Sequence, residues 1–337
     1  MRVFFDERQL LHAPDREMHN GSWTSYQETP SRALNIADRL KNYERPGDFG
    51  LDPILQVHTE KYVDFLRDAY AQWTEAGREG DAIAYTFPIV GRRGLNLKRI
   101  DAKLGAFSFD TATPLTQNSW TSAYWSVQTA LSAVHHLEHS SDSVAFALCR
   151  PPGHHAGADY MGGYCMLNNA AVAARYAHMK GLGPVAVLDI DYHHGNGTQD
   201  IFYADPNIYF ASIHADPVND YPFYWGHVDE VGLGSASGSN LNIPLPRDTE
   251  LPVYRAKLEL ALDHIVEWGS RFLVVSFGAD THIDDPISHF RLRTEDYFTL
   301  GKMIASRRLQ TVIVMEGGYA TSILGENVSS FLEGVMS

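Results

Sequence analysis

Two carboxylates and two imidazoles crowd the segment Asp189-Ile190-Asp191-Tyr192-His193-His194, directly after the apolar run Val185-Ala186-Val187-Leu188. The run reads as a buried strand. A strand alternates its side chains, so Asp189, Asp191 and His193 share a face if the chain stays extended. Carboxylate oxygen and imidazole nitrogen together suit a divalent metal: zinc, and also iron, cobalt or manganese. Taken alone, the pattern also fits a polar strand end with capping aspartates. Four more segments weigh against that, each following an apolar run: Arg150-Pro151-Pro152-Gly153-His154-His155, His214-Ala215-Asp216, Gly278-Ala279-Asp280-Thr281-His282 and Glu316-Gly317-Gly318-Tyr319. In an open α/β sheet, ligands bind beyond the carboxyl ends of the strands, which is where all five segments fall.

Asp191, His193 and Asp280 make a two-carboxylate, one-imidazole set with positions left open for water and substrate, as a catalytic metal requires. A metal there lowers the pKa of water towards about 7 and polarises a carbonyl. One histidine of the pair His154-His155 can take the proton and pass it to a leaving amine. Tyr319, behind two glycines that permit close approach, can donate to a developing oxyanion. Asp189 and Asn196 are candidates to fix the outer ring nitrogens of the histidines. These are the parts of a metal-assisted amide hydrolase.

The elements that must position them follow a repeated grammar. Strands are expected at 3–5, 143–148, 185–188, 208–213, 272–277 and 311–315. Helices are expected at 31–43, 59–73, 122–137, 168–180, 197–203, 251–268, 294–307 and 327–335. Near-continuous apolar strands alternating with helices predict an α/β fold with a mostly parallel sheet covered on both faces. Residues 8–30 read as irregular, and 215–247 as a long Gly/Ser/Pro-rich loop. From Glu75 to about Trp120 the pattern breaks at Gly77, Gly80, Pro88, Gly91, Gly94, Gly105 and Pro114, and such a stretch is usually functional or an interface. No linker divides the chain, so residues 1–337 are expected to form a single domain.

The chain has 337 residues, of which 44% are hydrophobic, enough for a substantial core. The apolar runs are strand-sized, so no membrane span is expected. The beginning, Met1-Arg2-Val3-Phe4-Phe5-Asp6-Glu7, lacks the apolar stretch of a secretory signal. Two cysteines, Cys149 and Cys165, form neither a disulfide framework nor a multi-cysteine zinc site, and a cytoplasmic location is expected. The formal net charge of −14 disfavours nucleic acid and anionic membranes as partners and favours a cationic small molecule.

The first, third and fourth of these polar segments and Asp189 to Gln199, together with Gly162-Gly163-Tyr164-Cys165-Met166-Leu167-Asn168-Asn169-Ala170, resemble in order and spacing the histone deacetylase superfamily. Within it, the chain is most similar to the bacterial acetylpolyamine amidohydrolases. The resemblance implies an arginase-deacetylase-type fold and Zn²⁺, with Fe²⁺ or Co²⁺ as alternatives, held by Asp191, His193 and Asp280. It implies that His155, paired with Asn196, is general base and acid; that His154, paired with Asp189, acts electrostatically; and that Tyr319 polarises the acetyl carbonyl. It further implies structural K⁺ at Asp189, Asp191, His193, Ser212 and Ile213, and a second near Phe202 and Ile208. Gly163, Tyr164 and Tyr221 would line a narrow tunnel, whose flat rings grip the methylenes of an alkyl amine. Glu17 and Asp101 would supply negative charge at its mouth. A further acidic position of relatives becomes Ala112 here, with Asp110 nearby. The 75–120 stretch would be an insertion used for homodimerisation and channel constriction.

Three other readings compete. A deacetylase of acetyl-lysine or of another small acetamide would use the same chemistry behind a wider mouth. A silent binding protein on this fold would lack a metal ligand or the oxyanion tyrosine, and none is lost. Arginase-like di-metal chemistry would need a second ligand cluster.

Overall fold

The computed structural model describes residues 1–89 and 96–337; Gly91 and Gly94 lie outside the described residues. The chain begins with β1 (Arg2–Phe4), β2 (Arg16–His19), β3 (Ser22–Ser25), α1 (Pro30–Leu40), α2 (Asp52–Leu55), α3 (Glu60–Glu75), α4 (Ile100–Ala106) and α5 (Ser119–His139). It continues with β4 (Val144–Ala147), α6 (Asn169–Met179), β5 (Val185–Asp189), α7 (Asn196–Phe202), β6 (Ile208–Ala215) and β7 (Asn240–Leu245). The remaining elements are α8 (Leu251–Glu267), β8 (Phe272–Phe277), α9 (Thr294–Ala305), β9 (Gln310–Met315) and α10 (Thr321–Val335).

Seven strands form one sheet in the order β1-β4-β9-β8-β5-β6-β7, and every pairing in it is parallel. Both faces are dry, which is why the central strands read as unbroken apolar runs. Val185 and Val187 of β5, with Val274 and Val312, point into a core shared with α3, α5 and α6. Their alternates Ala186, Leu188, Val275 and Ile313 point into a second core under α1, α8, α9 and α10. Side chains of Thr59 and Asn168 cap α3 and α6 by accepting from the Tyr62 and Ala171 amides, so those two helices begin where the sequence indicates.

Three expectations are corrected. The segment 8–30 is not simply irregular: β2 and β3 pair as a hairpin around Asn20-Gly21, both in the left-handed region at φ 48° and 76°. That dipeptide is the preferred two-residue hairpin turn. The 215–247 loop ends in β7, an edge strand. Leu241, Ile243 and Leu245 face the core on one side, while Asn240 and Asn242 are buried on the other, bonded to Gln199, so both faces are covered and one of them is polar. The 75–120 stretch holds α4 and a backbone bridge between Ala82 and Leu115. Leu104, Phe107 and Leu115 are buried in the same core as α3 and α5, so this stretch is woven into the sheet's cover. In addition, α10 starts at Thr321, six residues before the expected Asn327.

Candidate active site

Strand β5 ends at Asp189, so Asp191 and His193 do not continue an extended face. They sit on a tight turn closed by short-range bonds: the Asp191 amide donates to Asp189 Oδ1 (3.2 Å), and the His193 amide to Asp191 Oδ1 (2.9 Å). The turn faces Asp280, just beyond β8, the neighbour of β5 in the sheet. One donor atom each from Asp191, His193 and Asp280 lie within 4.8 Å of one another. His193 Nδ1 is 3.0 Å from Asp280 Oδ2 and 3.3 Å from Asp191 Oδ1. Burial, with Asp191 alongside, pushes the Asp280 carboxyl well above its ordinary range. A cation between the two carboxylates would relieve that repulsion, and the donor set of two oxygens and one nitrogen suits a divalent metal. The backbone makes room as well. A Cβ on Gly278 would stand 2.0 Å from Asp191 Oδ2, and one on Gly317 2.6 Å from Asp280 Oδ2.

Two histidines with opposite electrostatics border this cluster. His154 Nδ1 lies 3.0 Å from Asp189 Oδ2, and its Nε2 is 3.8 Å from Asp191 Oδ1. Burial opposes a charged imidazole, but Asp189 and Asp191 outweigh it and lift His154 to about 10. His155 Nδ1 lies 2.6 Å from Asn196 Oδ1. Burial, and then the charges of His154 and His193, push His155 well below its ordinary value. The two neighbouring rings are thus pushed in opposite directions, His154 towards the cation and His155 towards the neutral imidazole. Glu316 fixes the loop that carries them, accepting from the Gly153 amide (2.6 Å) and the His154 amide (3.2 Å).

Aromatic walls surround the pair. Tyr319 and Tyr164 pack with ring centroids 5.6 Å apart, and Tyr221 stands edge-on to His155 at 5.1 Å. Gly163 lets the wall close on His155: a Cβ there would lie 2.2 Å from its ring. Tyr164 itself adopts φ 68°, a left-handed conformation that costs a non-glycine residue about 1–3 kcal/mol. Its amide is held by Thr113 Oγ1 at 2.9 Å, and its hydroxyl donates to Glu17 Oε1 at 3.0 Å. Glu17 is carried in by β2. Burial pushes it up to about 7; the Tyr164 bond opposes this shift and Asp110 adds to it.

The model of the histone deacetylase domain matches residues 26–335. The chain belongs to the histone deacetylase family. Acetylpolyamine amidohydrolase 1 of Pseudomonas aeruginosa is 44% identical over 99% of this chain and 98% of its own length. The acetylpolyamine amidohydrolase of Mycoplana ramosa is 39% identical over 99% of both chains. The crystal structure of acetylpolyamine aminohydrolase from Burkholderia pseudomallei superposes with a TM-score of 0.95 at 36% identity, covering 99% of this chain and 98% of that one. The protein is thus a metal-dependent hydrolase of the histone deacetylase family.

One residue expected at the tunnel mouth is ion-paired within the chain. Asp101, in the first turn of α4, gives its two oxygens to Arg78 and Arg99, each at 2.7 Å, which neutralises it within the single chain. Ser212 and Asp189 are register partners across β6 and β5, and Ser212 Oγ lies 2.8 Å from His214 Nδ1. Asp110, expected only as a carboxylate near the mouth, and two residues that escaped the sequence reading, Asp285 and Arg32, support the site. Asp110 Oδ2 accepts from the Gly163 amide (2.7 Å) and the Tyr221 hydroxyl (2.8 Å), tying both aromatic walls to one carboxylate. Asp285 Oδ2 accepts from the Tyr319 amide at 2.6 Å. Arg32 donates to the carbonyls of Glu316 (2.7 Å) and Gly318 (2.6 Å), bracing the turn before Tyr319. Only Asp110 had a signal in the sequence, as a carboxylate in a punctuated stretch; the other two look like ordinary helix and loop charges. A surface cavity of about 670 Å³, lined by Met1, Asp142, Arg308 and Val335 among others, lies at the amino ends of the strands and contains none of these groups. No helix among the described residues is long and apolar enough to cross a membrane.

Proposed function

We propose that the protein removes acetyl groups from N-acetylated polyamines or diamines, giving acetate and the free amine. The observation that carries this is the cluster of Asp191, His193 and Asp280 beside His155, with the rings of Tyr319 and Tyr164 packed at 5.6 Å and Glu17 bonded to the Tyr164 hydroxyl. Full-length similarity to acetylpolyamine amidohydrolases supports the same substrate class.

Asp191, His193 and Asp280 would hold a divalent metal, zinc by preference with iron or cobalt as alternatives. When bound, the metal lowers the pKa of water and polarises the acetyl carbonyl. His155 keeps its Nδ1 proton on Asn196 Oδ1, so Nε2 is free to take the proton of the attacking water and deliver it to the departing amine. His154, held by Asp189 at 3.0 Å and favoured in its cationic form by that carboxylate, would offset negative charge developing beside it. Tyr319 donates its hydroxyl to the oxyanion. Tyr164 and Tyr221 flank the methylenes, and Glu17 pairs with a distal ammonium. Asp189, Asp191, His193, Ser212 and Ile213 would hold a structural K⁺, a reading supported by the Asp189–Ser212 register.

The whole chain acts as one domain in this reading, and the 75–120 stretch forms a homodimer contact. Tyr85, Phe87 and Ile89 support that: at alternate positions they are 74%, 39% and 70% exposed. Acetate release from acetylated diamines and polyamines, with an acetyl-lysine peptide alongside, tests the substrate class. Much higher kcat/KM on the amines is expected. Preference for the peptide would leave the hydrolytic chemistry and overturn the substrate assignment.

A further inference from the structure

The hydrogen bonds around Asn196 do not stop at His155. Asn196 Nδ2 donates to the Tyr160 hydroxyl at 3.4 Å, and Tyr160 donates to Asp200 Oδ2 at 2.6 Å. Asp200 Oδ1 accepts from Trp225 Nε1 at 3.1 Å. Asn196 and Asp200 stand one turn apart on α7, and Tyr160 bridges them. Its ring packs edge-on against Phe109 at 5.6 Å and over Gly157, where a Cβ would come within 2.3 Å of the ring. Asn196 is fully buried, whereas Asp200 is exposed.

Donor and acceptor chemistry gives this chain a direction. A carboxylate only accepts and an indole N–H only donates, so Asp200 accepts the hydrogen bond of the Tyr160 hydroxyl as well as that of Trp225. Tyr160 can then only accept from Asn196, which turns the amide nitrogen outward and the amide oxygen towards His155. Facing an oxygen, His155 Nδ1 must carry the proton, and Nε2 keeps its lone pair. A flipped amide would present N–H to Nδ1 and move the ring proton to Nε2, where it blocks proton uptake. Nothing in an isolated amide distinguishes the two orientations; the hydroxyl does.

We infer that Tyr160 and Asp200 are positioning residues that set the tautomer of His155 through Asn196. The inference rests on the role of His155 as base in the proposed hydrolysis. It places part of the control of that base on an exposed carboxylate of α7.

The test uses the full metal-loaded protein. Tyr160→Phe keeps the ring packing and removes the hydroxyl, and Asp200→Leu removes the acceptor at an exposed position. Each is expected to lower kcat about fivefold, the weight of one neutral hydrogen bond, with KM and metal content unchanged. Asp200→Asn keeps an oxygen for Tyr160 and should restore most of the activity. The double variant Tyr160→Phe/Asp200→Leu should lose no more than either single one, because both act through one chain. NMR of ¹⁵N-histidine-labelled protein reads the tautomer without turnover: wild type should show Nδ1–H at His155 and the variants a mixture. Wild-type kcat with an unaltered tautomer in either single variant, or losses that multiply in the double variant, would overturn the inference. If Tyr160→Phe does not fold, Asp200→Leu decides alone. A wild-type protein that releases no acetate from any acetamide would instead defeat the proposed function.

Discussion

Replacing Tyr319 by phenylalanine isolates one hydroxyl. The position of the ring is over-determined by groups the substitution leaves in place: Asp285 accepts from the backbone amide at 2.6 Å, the Arg32 guanidinium lies 4.7 Å from the ring centroid, and Tyr164 packs at 5.6 Å. Among the described residues none is hydrogen-bonded to the Tyr319 hydroxyl, so its removal strands no protein partner. Burial pushes the phenol well above its ordinary range, and it remains a donor across the assay pH. The expected loss is therefore confined to the transition state. A single preorganised oxyanion donor contributes about 2.7–4 kcal/mol, so kcat should fall about 10²–10³-fold. Tm, metal content and binding of a metal-chelating inhibitor should match wild type. The assay is acetate release under saturating substrate, with metal content measured on the same preparation. A kcat equal to wild type would remove Tyr319 from the oxyanion role, and a parallel loss of metal would show that its position, not its hydroxyl, is what matters.

Asp280→Asn should lower metal content per chain in the purified protein, and an unchanged content would take Asp280 out of the ligand set. Glu17 gives a pH signature. Its folded pKa of about 7 lies above its ordinary 4.5, so ionising it costs stability as pH rises between those values. Glu17→Gln should accordingly raise Tm at pH 8 and leave it unchanged at pH 4. With wild type, KM for an acetylated amine should rise as pH falls through 7 and the carboxylate is lost; the same profile in the Gln variant would refute the ammonium contact. Asp110→Ala frees two donors on opposite walls, and KM should increase about tenfold, one or two hydrogen bonds' worth of order. An unaltered KM would show that the walls hold without it. Tyr85→Ser/Ile89→Ser should yield monomers by sedimentation velocity, whereas deleting 75–120 would also remove the buried Leu104, Phe107 and Leu115. A dimer surviving the double substitution would place the interface elsewhere.

Much of this protein was legible before folding. Strands such as Val185–Asp189 and Phe272–Phe277 are long, apolar and β-branched, and a sheet dry on both faces leaves no other pattern. The candidate metal ligands Asp191, His193 and Asp280 and the pair His154-His155 follow such strands within a few residues, so placing the strands nearly places the candidate site. What escaped had polar residues in structural roles. Strand β7 carries Asn240 and Asn242 inward because Gln199 and Glu230 meet them there, which no periodicity rule anticipates. The Asn20-Gly21 hairpin was readable from the turn alone, but not that it would carry Glu17 to Tyr164.

The sequence by itself determined the fold class and nominated the candidate metal ligands and catalytic side chains, because these depend on residue identity and on spacing along single strand–loop units. Only the tertiary structure decided that Asp101 is taken by two arginines, that Asp110 joins both aromatic walls, and that Tyr160 links Asn196 to Asp200. Those are contacts between segments distant in sequence, and a carboxylate's role there is fixed by which donors reach it first. A residue name carries its charge and its hydrogen-bonding capacity; which partner satisfies them is a property of the packed chain.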